Sequence, residues 1–187
     1  MKTLIALSVL SFVCVSGTSV PGTERLDAAS AFVPAGSTAI TGELTHECNA
    51  KTIGFWGNPN GLALIEDGDF LDVLPSLHLV DEFGAPFVTH DIDEFEDWLH
   101  DANAVNMAYM LSAQLVAMEF NVLSGKVDVR CQVADTRHGV LSVDRLIEQA
   151  INSLINDPYT PAGDPNRHRQ ELLKNLLDDA NNNLIWV

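Results

Sequence analysis

The side chains best able to do chemistry are concentrated in HDIDEFEDWLHD, residues 90–101. His90, Asp93, Asp97 and His100 follow one another at spacings of three and four, so on a helix they share a face and can gather ligands for a cation such as calcium. The same acids also suit a solvated helix face, which is the simpler reading. A second acidic motif, DGD at 67–69, lacks calcium-loop register. A twelve-residue loop beginning at Asp67 would end on His78, where such a loop requires glutamate.

Acids this dense also allow a hydrolase with a carboxylate pair, but no feature of the sequence picks out which two. There is no G-x-S-x-G, no H-E-x-x-H and no P-loop. The remaining histidines, His46, His78, His138 and His168, stand alone or in polar runs and receive no role.

The N-terminus, MKTLIALSVLSFVCVSG, has an early lysine, an apolar run and small residues, the layout of a secretory leader. Cleavage is expected after Gly17, with Val15 and Gly17 in the small positions before the cut; a cut after Ser19 fits nearly as well. The run Leu4–Val15 is short of the roughly 20 residues that a membrane span needs. Val13 stands before Cys14 where a lipoprotein would carry a small residue. Cys14 leaves with the leader, so Cys48 and Cys131 remain. Two cysteines in an exported chain most simply form one disulfide, worth on the order of 4 kcal/mol through loop closure. A metal pair or two free thiols are the alternatives.

The chain of 187 residues carries 26 acidic against 10 basic side chains, a net charge of −16. Loss of Lys2 with the leader makes the mature chain one unit more negative. Such a surface repels nucleic acid and anionic membranes. Residues 18–46 hold small and polar residues without a sustained period and read as a flexible lead, in which 32–42 can lay one short strand.

From Cys48 on, helical patterns dominate. DFLDVLPSLHLV gives a short helical turn broken by Pro75. Asp91 is the expected N-cap of a helix whose apolar face is Ile92, Phe95, Trp98 and Leu99, with Glu94 completing a capping box. Ala104–Leu123 has one charge, Glu119, and Gly125 stands just past its end, which marks a buried central helix. Ser142 opens a third helix with a stripe of Leu146, Ile147, Ala150, Ile151, Leu154 and Ile155. Asp164 followed by Pro165 opens a fourth, with Leu172, Leu173, Leu176 and Leu177 facing the core. Trp186 is expected to fold back onto that core.

CNAKTIGFWGNPNG, residues 48–61, reads as irregular and rich in turn formers. We read it as a plug: Gly54 and Gly57 for close approach or positive φ, Phe55 and Trp56 as buried anchors, Asn58 and Pro59 shaping the exit. Gln114 and Asn121, seven apart on the central helix, are placed to bind its backbone groups. The rival reading is a tryptophan loop that stacks on carbohydrate.

TIGFWGN resembles the T-x-G-[FY]-W-K-N-H signature of a family of bacterial exported or surface proteins of unknown function. LSAQLVAMEFNVLSG resembles the same family's L-A-x-Q-L-x-A-A-x-L-N-x-x-x-G helix, in the same order and at a fitting separation. LHLV and FEDWLHDAN fall where that family has an L-x-L-G piece and a short leucine helix, so the likeness covers about residues 48–157. Gly54, Phe55, Trp56 and Asn58 match the first motif; Gln114, Leu115, Ala117, Asn121 and Gly125 match the second. Gly57 replaces the family's lysine and Pro59 its histidine. The resemblance implies no catalytic residues.

The combined expectation is a leader at 1–17, a lead at 18–46, and one all-α, disulfide-tied bundle of about four main helices at 47–187. No cofactor is expected, with calcium near 91–101 as the alternative. The function expected is non-enzymatic: binding an extracellular protein or glycan, or building a surface structure. The cut chain is not expected to be an integral membrane protein.

Overall fold

The structure, a computed structural model, describes residues 47–135 and 139–187. The expected leader, the lead with its short strand, His46 and His138 lie outside the described residues.

The plug region is helical where turns were expected. Thr52 caps α1 (Ile53–Trp56) by accepting from the Phe55 N–H at 3.3 Å. Asn58 caps α2 (Pro59–Asp67), its side-chain oxygen accepting from Asn60 and Gly61 at 2.9 and 3.2 Å. Pro59 at the first helical position has no N–H to leave unpaired, which is why it starts a helix here. Turn-forming residues are also helix-capping residues, and four or nine helical residues are too few to show a period.

A 3-10 turn (Phe70–Val73) leads into α3 (Leu74–Leu77). Pro75 lies in the first turn of α3 and opens that helix rather than breaking it. Asp91 caps α4 (Ile92–Asp101) through the Asp93 and Glu94 N–H groups, at 2.9 and 3.2 Å. The return arm of the expected capping box runs through another residue. Glu94 accepts from the Thr89 hydroxyl at 2.6 Å, and that oxygen accepts from the Asp91 N–H at 3.0 Å.

The central helix, α5 (Met107–Leu123), starts later than its apolar pattern because Asn106 caps it. Asn106 Oδ1 accepts from Ala108 and Thr160 N–H at 3.2 and 2.9 Å. The carbonyls of Ala104 and Val105 accept instead from the Arg167 guanidinium, at 2.6 and 3.2 Å. Gly125 follows α5 at φ +72, the left-handed conformation that ends helices.

Two strands correct the all-α expectation, leaving a mainly helical fold. β1 (Gln132–Asp135) pairs antiparallel with β2 (Gly139–Ser142), with Val133 opposite Leu141. The C-terminus adds to the free side of β1: Ala134 N–H donates to Ile185 at 2.9 Å, and Val187 N–H donates to Gln132 at 3.0 Å. Trp186 thereby folds back against the core.

Helix α6 (Val143–Asn156) follows β2 directly. Ser142 is its N-cap by position, but its hydroxyl goes to Asp144. Helix α7 (Arg167–Asn181) starts at Arg167, beyond the expected Asp164–Pro165. Asp164 instead closes a turn, accepting from the Asn166 N–H at 2.8 Å and the Arg167 N–H at 3.3 Å.

Helix α5 packs against α7, α6, α1 and α3. Arg167 meets Ala104, and Asn181 meets Gln114, so α5 and α7 run in the same direction. Trp56, Phe95, Leu111, Leu115, Phe120, Leu146 and Leu177 are fully buried around this axis. Among the described residues no helix is long and apolar enough to cross a membrane.

Candidate functional site

The segment before α1 is bound to the bundle by amides and one disulfide. Cys48 and Cys131 are bonded, with Cα atoms 5.9 Å apart. Asn121 donates to the Lys51 carbonyl at 2.8 Å and accepts from its N–H at 2.7 Å. Asn183 does the same for Ala50, at 3.1 and 2.8 Å. Asn49 N–H donates to the Lys126 carbonyl at 3.0 Å and the Glu47 carbonyl accepts from Asp128 N–H at 2.9 Å, and the two side-chain amides continue this pairing at Ala50 and Lys51.

Trp56 is fully buried, edge-on to Phe55 and Phe120 at 5.1 and 5.6 Å between centroids. No ring face is left for a sugar, so the carbohydrate-stacking reading of Trp56 fails. Its indole N–H has no acceptor among the described residues. Neither Gly54 nor Gly57 has a positive φ. At Gly57 a Cβ would stand 2.9 Å from His100 Nε2, which donates to the Gly57 carbonyl at 3.0 Å. The tightest approach is at Gly61, which the plug reading overlooked: a Cβ there would lie 2.1 Å from the Phe55 carbonyl oxygen. At Gly54 a Cβ would make only an ordinary contact, 3.8 Å from Thr52 Oγ1.

The four proposed cation ligands are not gathered. His100 is held by Gly57, and His90 Nδ1 lies 3.3 Å from Asp72, an exposed partner on another element. Asp93 and Asp97 are exposed on the outer side of α4. Among the described residues no group of three or more His, Cys, Asp or Glu side chains is placed to hold a metal ion.

Of Gln114 and Asn121, both expected to bind the plug's backbone, Asn121 does so and Gln114 does not. Gln114 faces α7. Its side-chain oxygen and its main-chain carbonyl accept from Asn181 at 3.0 and 3.1 Å, and its amide donates to Asp178 at 3.2 Å. Asn121 joins the same chain of amides, donating to Asn181 at 3.1 Å. Asp178 accepts further from Asn182 at 3.0 Å and from Lys174 at 3.2 Å.

This network borders a groove of about 570 Å³ between α1, α5 and α7. Glu171, Lys174, Asn175, Asp178 and Asn182 form its polar wall, at offsets of 0, 3, 4, 7 and 11 along one face of α7. Met107 and Met110 of α5, with Ile53 of α1, form the apolar wall; Thr52, Gly54, Ala104 and Gln114 complete the lining. A cleft of this size, apolar on one side with a few convergent polar groups on the other, has the form of a small-ligand site. Only Gly54 and Gln114 of the expected motif residues line it. The α7 residues were overlooked, although their i, i+3, i+4, i+7 spacing was readable opposite the leucine stripe.

Two titrating groups lie away from the groove's lining. Glu119, the one charge of α5, has its carboxyl pushed above the usual range by burial. Burial, followed by Asp101, Glu82 and Asp81, pushes the Tyr109 phenol up; its hydroxyl donates to the Trp98 carbonyl.

Fold and groove together define a mainly helical, disulfide-tied domain with an open cleft beside its central helix. No family model matches the chain, and no curated protein or solved structure is similar to it.

Proposed function

We propose that this chain is a secreted, non-catalytic binding module whose ligand occupies the groove between α1, α5 and α7. The groove itself carries the reading: its lining converges on one cleft of about 570 Å³, with no cysteine, histidine or serine among the lining residues. Its two carboxylates, Glu171 and Asp178, stand seven residues apart on one helix, and Asp178 already accepts from Gln114, Asn182 and Lys174. That arrangement supports binding over a hydrolytic pair, in which one carboxyl must donate a proton to a leaving group. The leader-like N-terminus and the Cys48–Cys131 bond support an extracellular site of action. The resemblance to exported bacterial proteins belongs to the same proposal.

The test is a ligand screen on the oxidised protein followed by amide and methyl NMR. Amino acids, amines, short peptides, organic acids and oligosaccharides would be titrated in turn. Binders should move the resonances of Thr52–Gly54, Met107, Met110, Gln114 and the α7 wall together. Turnover on a glycoside, ester or peptide panel that is abolished by a groove substitution would overturn the reading. So would a groove that stays silent to every class.

A further inference from the structure

The hydrogen bonds around the groove constrain what it can hold. Resting on the binding reading above, we infer that the groove takes an alkylammonium group: a primary amine on a short apolar stem.

Three of the side chains that could donate into the groove, Lys174, Gln114 and Asn182, are already engaged with Asp178. Lys174 Nζ is on Asp178 at 3.2 Å. The Gln114 amide is on the other oxygen of Asp178 at 3.2 Å. The Asn182 amide donates to the Asp178 main-chain carbonyl and to its carboxylate, at 2.8 and 3.0 Å. The one cation is therefore neutralised by its own helix, and its side chain is only 19% exposed.

Glu171 is different. Its side chain is 50% exposed, and the His168 ring nitrogen stands 3.8 Å from it, beyond hydrogen-bond distance. Asn175 lies one turn further along the same wall and adds a neutral amide whose oxygen can accept. The lining thus offers an incoming group a carboxylate and an amide, while its lysine is occupied. An anion would meet Glu171 with no available cation to answer it.

Opposite Glu171 the wall is Met107, Met110 and Ile53. Thioether side chains adapt to unbranched chains and make an apolar bed without demanding a hydrogen bond. No aromatic ring lines the groove, so a sugar has no stacking platform there. Long-range attraction acts the same way: a chain of net charge −16 concentrates cations at its surface. An ammonium head on Glu171 and Asn175, with its methylenes along Met107 and Met110, satisfies both walls at once.

Two sources can supply this group: a free diamine, or a lysine side chain presented by another protein. The experiment uses putrescine and a capped tripeptide with a central lysine as probes. A capped tripeptide with a central glutamate and maltotriose serve as controls, all at low salt on the oxidised protein. Both cationic probes should shift the Glu171, Asn175, Met107 and Met110 signals, and added salt should reverse the shift. Tighter binding of the peptide would point to a protein source, and tighter binding of putrescine to a free amine.

Glu171→Gln should weaken binding by about five-fold, the upper end for a half-exposed ion pair. Asn175→Asp should strengthen it by a similar factor; a gain of this kind cannot come from misfolding. Groove shifts by maltotriose or the glutamate peptide, with none by the amines, would overturn this inference and leave the binding reading standing. Amine binding that is indifferent to both substitutions would overturn it too. Silence to all four probes also overturns it; silence in the broader screen as well would take the binding reading with it.

Discussion

Helix α5 treats its two amide side chains in opposite ways. At its C-terminal end Asn121 is fully buried, with its polar atoms paired to Lys51 and Asn181. Two turns earlier Gln114 belongs to the same chain of amides, yet it borders an open groove. The sealed end holds structure, because each of its partners would be stranded without it. The open end is buffered, because groups facing a groove can recruit water. Residue type does not separate the two roles, and neither does burial of the amide itself, since Gln114 is only 4% exposed; the difference is that its partner Asp178 reaches solvent.

The largest expected effect is at the sealed end. Replacing Cys48 and Cys131 by serine should lower unfolding free energy by about 4 kcal/mol, from the freed loop in the unfolded chain. The measurement is denaturant unfolding of both forms, read from the midpoint at unchanged slope. Asn121→Ala comes next, at about 3 kcal/mol. It leaves the Lys51 N–H, the Lys51 carbonyl and the Asn181 amide oxygen without their partner in a buried site. Hydrogen exchange should show residues 48–52 opening first in this variant. Gln114→Met tests the open end and should cost about 1 kcal/mol, since Asn181 keeps the residue-114 main-chain carbonyl and the part-exposed Asp178 can turn to water. Equal losses at the two positions would erase the distinction between the ends.

The sequence shows the sealed end better than the open one. The long apolar run of α5, Gly125 after it, Asp91 before α4 and the Cys48–Cys131 pairing are local or compositional signals, and the structure carries all four. The hairpin was missed although Lys126–Asp135 alternates Val127, Val129, Cys131 and Val133 with polar residues, a period of two. Four-residue strands carry only two repeats of that period, too few to stand out beside the longer helical patterns. Helices α1 and α2 were hidden by capping residues that also make turns. The groove needs α7 set beside α5, a non-local fact. The acids of α7 look like any solvated stripe until Met107 and Met110 stand opposite them.

Glu119 sharpens the contrast from inside α5. Burial raises its folded-state pKa above the unfolded value. The native state therefore binds a proton more tightly than the unfolded chain. Stability is greatest below the ordinary carboxylate range and falls as pH rises through it to the raised value. Glu119→Gln should remove that slope. The variant should melt higher than wild type near neutral pH and alike in acid, as scanning calorimetry across pH would show. A variant that melts lower at neutral pH would mean that the carboxylate has a stabilising role.

The smallest effect is expected on the acidic face of α4, the densest charge in the sequence and the first place to look for chemistry. Asp93 and Asp97 are exposed, His100 is engaged with the Gly57 carbonyl, and His90 stands by Asp72. Asp93→Asn together with Asp97→Asn should therefore change stability by no more than about 0.5 kcal/mol, the range for surface changes away from special features. Adding calcium and then excess EDTA should leave the melting temperature in place, because a native-state ligand raises it only by binding. A calcium-dependent rise of several degrees that vanishes in the double variant would reverse the comparison. The exposed acids would then be the site, and solvent access would no longer separate structure from function in this fold.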